Sequence, residues 1–255
     1  MEGKIAFVVG GSAGLGKEIA KLLASQGANI TIFGRTRENL DVAKDEILAA
    51  RKTEDQGVVA IQADMSNATE VQKALTSQPL LPDVLYCMAG GTAYELGYMI
   101  DLEAEQFERC MNNNYYSSLY PARHVLSSWV EDDKKAAVPK TPKQRSIVFC
   151  NSSASFMPIP GYIAYNAAKA AQRALADTLR LEAARYSGPV SDYKIQLILA
   201  HNFITPTFIE EQKHKPALTK RLEGTDLSLA ELEKTGKFPL RCTISAENRG
   251  CGCEG

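Results

Sequence analysis

Short apolar runs and longer amphipathic segments follow one another along this chain. Runs typical of buried strands occupy residues 4–9, 29–33, 57–61, 83–90 (with its turn), 146–150 and 194–200. Helical spacing of apolar positions occupies residues 17–27, about 37–51, 69–75, 105–129 and 161–187. Strands that alternate with helices predict an α/β fold with a doubly wound parallel sheet.

The pattern weakens towards the end of the chain. Residues 131–145 are polar and contain proline, which predicts an exposed loop. A short helix is predicted at 227–234, with Ser228 as its cap, and no seventh strand is evident after it. We therefore expect one domain over 1–240 and an irregular tail over 241–255, so that the C-terminal end is either disordered or an incomplete part of the fold.

Composition and charge exclude several classes of protein. The chain has 255 residues, of which 45% are hydrophobic, and a formal net charge of −1. A charge so close to zero argues against non-specific nucleic-acid binding. No apolar run approaches the length of about 20 residues that a membrane span needs. The sequence also starts directly in a strand pattern without a signal-peptide pattern, so we expect a protein that faces the cytosol.

The cysteines give no indication of an oxidising compartment or a metal site. Cys87, Cys110 and Cys150 lie inside apolar segments, which predicts buried thiols. The other three lie in the tail, where Cys-Gly-Cys does not match the ligand spacing of a zinc knuckle.

A glycine-rich turn between the first strand and its helix is the first candidate for ligand binding. Gly10, Gly14 and Gly16 stand where the backbone must turn tightly and let a phosphate approach the helix N-terminus. In this strand–turn–helix context the repeat predicts a dinucleotide site, although an ordinary tight turn is the alternative.

Residues at the end of the second strand indicate which dinucleotide binds. Gly34 stands where NAD sites offer a carboxylate to the ribose, and Arg35 follows it. Because the planar guanidinium suits a 2′-phosphate, the sequence predicts NADPH. Ser12 is a possible hydroxyl partner and Lys17 a weaker candidate, whereas Arg37 is either a second phosphate ligand or a solvated helix residue.

Asp64, which follows the third strand, has two readings. It is placed to accept a hydrogen bond from an adenine amino group, but a bare aspartate there could equally cap the next helix.

Tyr165 and Lys169 are four residues apart on one predicted helix face. A nearby ammonium lowers the pKa of a phenol, which would equip Tyr165 for proton transfer. Ser152 follows the fifth strand and offers a hydroxyl, and Ser153 could replace it if that strand ends one residue later.

Taken together, GGSAGLG at 10–16, CMAG at 87–90, Asn114, Ser152 and YNAAK at 165–169 resemble the short-chain dehydrogenase/reductase family. The resemblance covers about residues 4–206. It implies a Rossmann-type sheet, a nicotinamide cofactor, and reduction of a carbonyl or oxidation of an alcohol. In that family the turn after the fourth strand usually reads Asn-Asn-Ala-Gly. Here Cys87 and Met88 replace the two asparagines, which removes side-chain hydrogen bonds that brace the central strands.

The resemblance also implies a role for each catalytic residue. Tyr165 would give its proton to the carbonyl oxygen, Lys169 would lower the pKa of that phenol and hold the nicotinamide ribose, and Ser152 would bind the substrate oxygen. Asn114 would hold a water in a proton relay, and its neighbours Asn112 and Asn113 leave that register open. The cofactor-binding set is Gly10, Ser12, Gly14, Leu15, Gly16, Arg35, Asp64, Met65, Ala89, Gly90, Tyr165, Lys169 and Thr205.

The segment 205–224 resembles the corresponding stretch of one group in that family, the 3-ketodihydrosphingosine reductases. This implies NADPH-dependent reduction of 3-ketodihydrosphingosine, a long-chain keto sphingoid base, in sphingolipid synthesis on the cytosolic face of the endoplasmic reticulum. The segment is charged and would lie beside the cofactor as a mobile lid. The family resemblance further implies a homodimer or homotetramer, and apolar lid residues suggest peripheral contact with a membrane.

Further residues could serve such a substrate. Glu210 and Glu211 could meet its ammonium or only water. An apolar channel for its alkyl chain, or plain core packing, would account for Phe156, Met157, Ile159, Ile163, Phe208 and Ile209. Two other functions stay open: an NADPH-dependent reductase of a 3-ketoacyl or steroid-like ketone, and a non-catalytic nucleotide-binding protein.

Overall fold

A computed structural model describes residues 1–200 and 203–225 of the chain. Its strands are β1 Ile5–Val9, β2 Asn29–Gly34, β3 Val58–Gln62, β4 Val84–Cys87, β5 Lys143–Ser152 and β6 Ser191–Ala200. Its α-helices are α1 Gly14–Ser25, α2 Arg37–Ala49, α3 Ala68–Thr76, α4 Ala104–Met111, α5 Ser117–Asp133, α6 Ile163–Tyr186, α7 Pro206–His214 and α8 Ala217–Glu223. The predictions for 227–234 and 241–255 lie outside the described residues.

The six strands form one parallel sheet in the order β3-β2-β1-β4-β5-β6. The order runs outward in both directions from β1 and β4, so the chain reverses its direction of winding between these two neighbours. In such sheets the crevice at the carboxyl ends of the two central strands is where ligands bind. The predicted doubly wound parallel fold is confirmed.

Alternate residues of the central strand face two separate cores. Phe7 and Val9 of β1 pack with α3, α5 and α6 on one side of the sheet. Ala6 and Val8 pack with α1 and α2 on the other side. Because both faces are covered, the central strands are apolar throughout, which explains the continuous apolar runs in the sequence.

The predicted loop at 131–145 is shorter in the structure, because α5 continues to Asp133 and β5 starts at Lys143. The polarity of this segment misled the sequence interpretation. Arg145 is buried at 5% exposure, and its guanidinium lies 2.6 Å from Asp132 and 3.4 Å from Asp133. The ion pairs therefore allow an arginine to lie inside the sheet region.

The predicted helix at 105–129 consists of two α-helices joined by a π-helical turn at Asn112–Tyr116. Its wider i→i+5 turn shifts the residues that follow, and such turns are frequent at functional sites. At the other end of the described chain, the predicted lid folds as α7 and α8. Among the helices described here, none is both long and apolar enough to cross a membrane.

Candidate active site

A cavity of about 500 Å³ opens at the carboxyl ends of the central strands. Every residue of the predicted cofactor set lines it, as do Ser152, Tyr165 and Lys169. The structure thus brings together residues that are distant in sequence. Among the four predicted catalytic residues, Asn114 is the exception, because its side chain is fully buried and does not line the cavity.

The glycine turn forms one end of this cavity. A Cβ atom on Gly16 would lie 2.2 Å from the carbonyl oxygen of Gly10, and one on Gly10 would lie 2.6 Å from the nitrogen of Ala89. Glycine is therefore required where α1 approaches β1 and the turn after β4. Helix α1 has no side-chain cap and no acid in its first turn, so its N-terminal N–H groups suit an anion.

Three basic residues near this end have different surroundings. Arg35 lines the cavity, and its Nη1 donates to Oδ1 of Asn113 at 2.9 Å. By contrast, the ammonium of Lys17 pairs with Glu46 at 2.7 Å, and the guanidinium of Arg37 pairs with Asp41 at 2.6 Å. The structure therefore favours Arg35 as the basic residue available to a ligand in the cavity. Arg37 is a helix residue paired with its i+4 neighbour.

The two readings of Asp64 are separated by the helix that follows it. The N-cap of α3 is Asn67, whose Oδ1 accepts from the backbone N–H groups of Thr69 and Glu70. Asp64 instead accepts from the N–H and the hydroxyl of Ser66 with one carboxylate oxygen. The alternative that Asp64 caps the helix is wrong, and its position on the cavity wall is compatible with a ligand.

Ser152, the last residue of β5, lines the same two cavities as the phenol of Tyr165. Since the strand ends there, Ser152 rather than Ser153 is the serine beside the tyrosine. Burial raises the pKa of Tyr165, and the nearby Ser152 side chain acts in the opposite direction. The net direction differs from the sequence expectation of a lowered pKa, and it keeps the phenol protonated at neutral pH.

Lys169 lies one turn after Tyr165 on α6 and is 3% exposed. Its ammonium donates to the backbone carbonyl of Cys150 at 2.9 Å and lies 5.7 Å from the centre of the Tyr165 ring. Burial lowers the pKa of this ammonium. Tyrosine and lysine thus face the same cavity from one side of one helix, as their spacing predicted.

Asn114 braces a loop instead of facing the cavity. Its Oδ1 accepts from the N–H of Gly91 at 2.8 Å, and its Nδ2 donates to the carbonyls of Gly91 and Cys110 at 2.9 and 3.0 Å. Among the three consecutive asparagines, it is the buried one. That it holds a water for proton transfer stays a prediction.

Sequence reasoning missed two polar residues behind Lys169. Gln172 is completely buried, and Asn151 is 1% exposed. Asn151 donates to the carbonyl of Lys169 and to Oε1 of Gln172, at 2.9 Å each. A signal existed for Gln172, because its i+3 spacing from Lys169 places both on one helix face.

The segment after β6 lines the cavity beside the glycine turn. Thr205 caps α7 by accepting from the N–H of Phe208 at 3.1 Å, and its methyl group lies within 3.5 Å of where a Cβ on Gly14 would be. Thr205 and the glycine turn therefore face each other. His201 and Asn202, which precede this segment, lie outside the described residues.

The two predicted acids of α7 have opposite surroundings. Glu210 pairs with Lys213 and His214 on the surface. The Glu211 carboxylate is 14% exposed and lies 2.7 Å from the ammonium of Lys215, which is fully buried and 2.6 Å from Glu223. The hydroxyl of Tyr162 donates to Glu211 and to Glu223.

Glu211 and Glu223 also line a second cavity of about 230 Å³, together with Ser152 and Tyr165. Burial raises the pKa of Glu211, and Lys215 opposes this shift. Two buried carboxylates therefore share one buried ammonium beside the candidate catalytic tyrosine.

Two of the six residues of the predicted apolar channel lie at cavity walls. Ile159 lines the second cavity, and Phe208, at 5% exposure, lines the first. Phe156, Met157, Ile163 and Ile209 are exposed on the surface. Phe208 is thus unavailable for the membrane contact that the apolar lid residues suggested.

The family model described as short chain dehydrogenase matches residues 4–210. The 3-ketodihydrosphingosine reductase of Aspergillus fumigatus is 34% identical over 242 residues, which cover 89% of this chain and 65% of that protein. The Yarrowia lipolytica protein of the same description is 32% identical, and 64% of its length is covered. The chain thus spans slightly under two thirds of these relatives.

The 3-ketodihydrosphingosine reductase of Bos taurus is 31% identical over 100% of this chain and 73% of that protein. Among solved structures, levodione reductase superposes with a TM-score of 0.74 at 20% identity, covering 88% of this chain and 81% of that one. At that identity the likeness shows the fold.

Proposed function

This chain belongs to the short-chain dehydrogenase family, and from that premise we propose that it reduces the ketone of 3-ketodihydrosphingosine to dihydrosphingosine with NADPH. The observation that supports catalysis most directly is the placement of Ser152, Tyr165 and Lys169 in one cavity with the glycine turn. The curated relatives named 3-ketodihydrosphingosine reductase support the choice of substrate.

The residues present fit a nicotinamide dinucleotide. The uncapped N-terminus of α1 and the close-packed glycines suit its pyrophosphate, and Arg35 suits a 2′-phosphate. A Cβ atom on Gly34 would lie 2.9 Å from the Ser12 hydroxyl, so an acid at this position, as in NAD sites, would displace Ser12. When bound, the cofactor supplies the hydride for the carbonyl carbon.

The protein's own groups handle the oxygen of that carbonyl. Tyr165 donates its proton to the oxygen on which negative charge develops, and the Ser152 hydroxyl donates a second hydrogen bond to it. The ammonium of Lys169 stabilises the phenolate left after transfer. A raised phenol pKa suits this role, since the tyrosine acts as an acid and must be protonated beforehand.

The substrate's amine provides a further criterion for recognition. A 3-keto sphingoid base carries an ammonium on the carbon next to its ketone. The cluster of Glu211, Glu223 and Lys215 has one more negative than positive group, and Glu211 lines both cavities beside Tyr165. A cation in the second cavity would balance this charge, so we assign the ammonium to Glu211 within this proposal.

The proposal extends to the surroundings of the enzyme. The names of the relatives support a role in sphingolipid synthesis. We further propose the cytosolic face of the endoplasmic reticulum as the location. Exposed apolar side chains at Phe156, Met157 and Ile209 would make the peripheral membrane contact. Association into a homodimer or homotetramer would use the helices α5 and α6.

Replacing Tyr165 tests the reaction itself. In the Tyr165→Phe variant we expect turnover of 3-ketodihydrosphingosine to fall by about 10²–10⁴-fold, because the general acid is lost. NADPH binding, measured by fluorescence titration, should persist. Tyr186→Phe, at the exposed far end of α6, is the matched control and should keep full turnover. A 3-ketoacyl thioester should be a poor substrate of the wild type; preference for the thioester would contradict the assigned ketone.

Replacing Arg35 tests the cofactor choice. Arg35→Ala should raise the dissociation constant of NADPH by about 10–100-fold, because a charge-assisted contact with the 2′-phosphate is lost. The dissociation constant of NADH should change little. Arg37→Ala removes a neighbouring guanidinium that is paired with Asp41 and should affect neither cofactor. Equal weakening of both cofactors by Arg35→Ala would refute the assignment.

Replacing Glu211 tests recognition of the amine. Glu211→Gln should lower kcat/KM for 3-ketodihydrosphingosine by about 10-fold or more, because a buried charge-assisted contact is lost. An analogue with hydrogen in place of the amine should be reduced equally well by variant and wild type. Glu210→Gln, one residue earlier on the exposed side, is the control for both substrates. A proportional loss for both substrates in Glu211→Gln would exclude a specific role for the amine.

A further inference from the structure

Gln172 is a completely buried side chain that the reaction described above does not use. All of its hydrogen-bonding capacity is nevertheless taken. Its Nε2 donates to the backbone carbonyl of Asn114 at 3.1 Å and to the hydroxyl of Ser118 at 2.8 Å. Its Oε1 accepts from Asn151 at 2.9 Å and faces the ammonium of Lys169 at 3.5 Å. A glutamine so fully satisfied has one defined orientation.

The partners determine that orientation chemically. The carbonyl of Asn114 only accepts hydrogen bonds, and the ammonium of Lys169 only donates them. If the amide of Gln172 were flipped, its oxygen would face the carbonyl oxygen and its NH₂ group would face the ammonium. Both contacts would be repulsive inside a dry interior, so the amide keeps its oxygen towards Lys169.

The surroundings of Lys169 make this oxygen important. The ammonium is nearly enclosed, and its other acceptor is the carbonyl of Cys150 on β5. The titratable groups that face it are the thiols of Cys110 on α4 and Cys150 on β5, and the phenol of Tyr165 on its own helix. Burial raises the pKa of both thiols, to about 12 for Cys110, so they carry no charge at neutral pH. Glu211 of α7 lines the same cavity and raises the pKa of Tyr165, after the larger effect of burial.

We propose that Gln172 is a positioning residue of the reaction: its amide links the ammonium of Lys169 directly to the backbone carbonyl of Asn114. A side chain thereby makes the connection that the family resemblance assigned to a water held at Asn114. The π-helical turn at Asn112–Tyr116 belongs to the same arrangement, because it carries the carbonyl that the amide engages.

This link has a chemical consequence. A water passes a proton by accepting one and donating another, whereas an amide with all four positions engaged has no such exchange available. Gln172 therefore fixes the place and charge of Lys169 and does not resupply protons to Tyr165. Because this role concerns catalysis, it rests on the proposed function, but the ionisation of Lys169 can be measured without turnover.

The test compares two substitutions of opposite electrostatic effect. Gln172→Met keeps a similar length but removes the acceptor, so the charged form of Lys169 loses support and its pKa should fall by about one unit. Gln172→Glu retains an acceptor as a neutral acid and adds a negative charge when ionised, so the pKa should stay or rise. Lysine labelled with ¹³C at Cε reports this titration by NMR, with the Lys169 signal assigned by its absence in Lys169→Arg.

The two variants should also differ in the pH dependence of kcat, in the same directions as the pKa of Lys169. Loss of activity on the alkaline side should move to lower pH by about one unit in Gln172→Met, and should stay or move upward in Gln172→Glu. Gln56→Met is the matched control, since Gln56 is also buried and donates to the carbonyls of Ala24 and Ala28 far from the cavity. Gln56→Met should lower the free energy of unfolding without shifting the pKa of Lys169 or the pH dependence of kcat.

Two results would overturn the proposal. One is an unchanged Lys169 titration in Gln172→Met, and the other is a shift of the same sign in both variants. If Gln172→Met does not fold, Gln172→Glu decides alone, because a pKa of Lys169 below that of the wild type would contradict the role. A different outcome separates the two proposals. If the pKa of Lys169 falls in Gln172→Met as predicted but the wild type reduces no ketone, the proposed function is refuted and the positioning of Lys169 by Gln172 stands.

Discussion

The burial of one ammonium, that of Lys169, is the constraint on which this site depends. A charge at 3% exposure is costly unless acceptors surround it. The carbonyl of Cys150 at 2.9 Å supplies one, and the oxygen of Gln172 supplies another. The polar groups behind the cavity wall therefore form one connected arrangement that joins β5, α6 and the π-helical turn, and Tyr165 is positioned by the same helix.

The remaining parts of the site follow from the topology of the sheet. The central strands β1 and β4 end side by side, so the glycine turn, the loop braced by Asn114 and the end of β5 meet at one edge. Helix α7 lines the cavity, and the buried ammonium of Lys215 pairs with Glu211 of α7 and Glu223 of α8. The glycine turn and Glu211 thus line the same cavity as Tyr165.

Local patterns predicted much of this arrangement. Helical spacing placed Tyr165 and Lys169 on one helix face, and the glycine turn was recognised by its place between a strand and a helix. The roles of the catalytic residues came from the joint resemblance of these motifs to the family. Long-range pairing was not predictable: Arg145 lies in β5 because two acids of α5 neutralise it, and Phe208 is buried because the predicted lid packs against the cavity. The raised pKa of Tyr165 depends on burial, which no local pattern reports. Helical spacing places Gln172 beside Lys169, but its contacts with Asn114 and Ser118, 58 and 54 residues away in sequence, are not visible in any local pattern.

In the proposed reaction, Tyr165 donates a proton to a ketone while a nicotinamide cofactor delivers a hydride to the same carbonyl. The most direct test supplies the protein with 3-ketodihydrosphingosine and NADPH deuterated at the transferable position of its nicotinamide ring. Mass spectrometry then locates the label in the product. Hydride transfer from the cofactor predicts dihydrosphingosine with a single deuterium on carbon 3. Unlabelled dihydrosphingosine, or no product while the cofactor stays reduced, would contradict it.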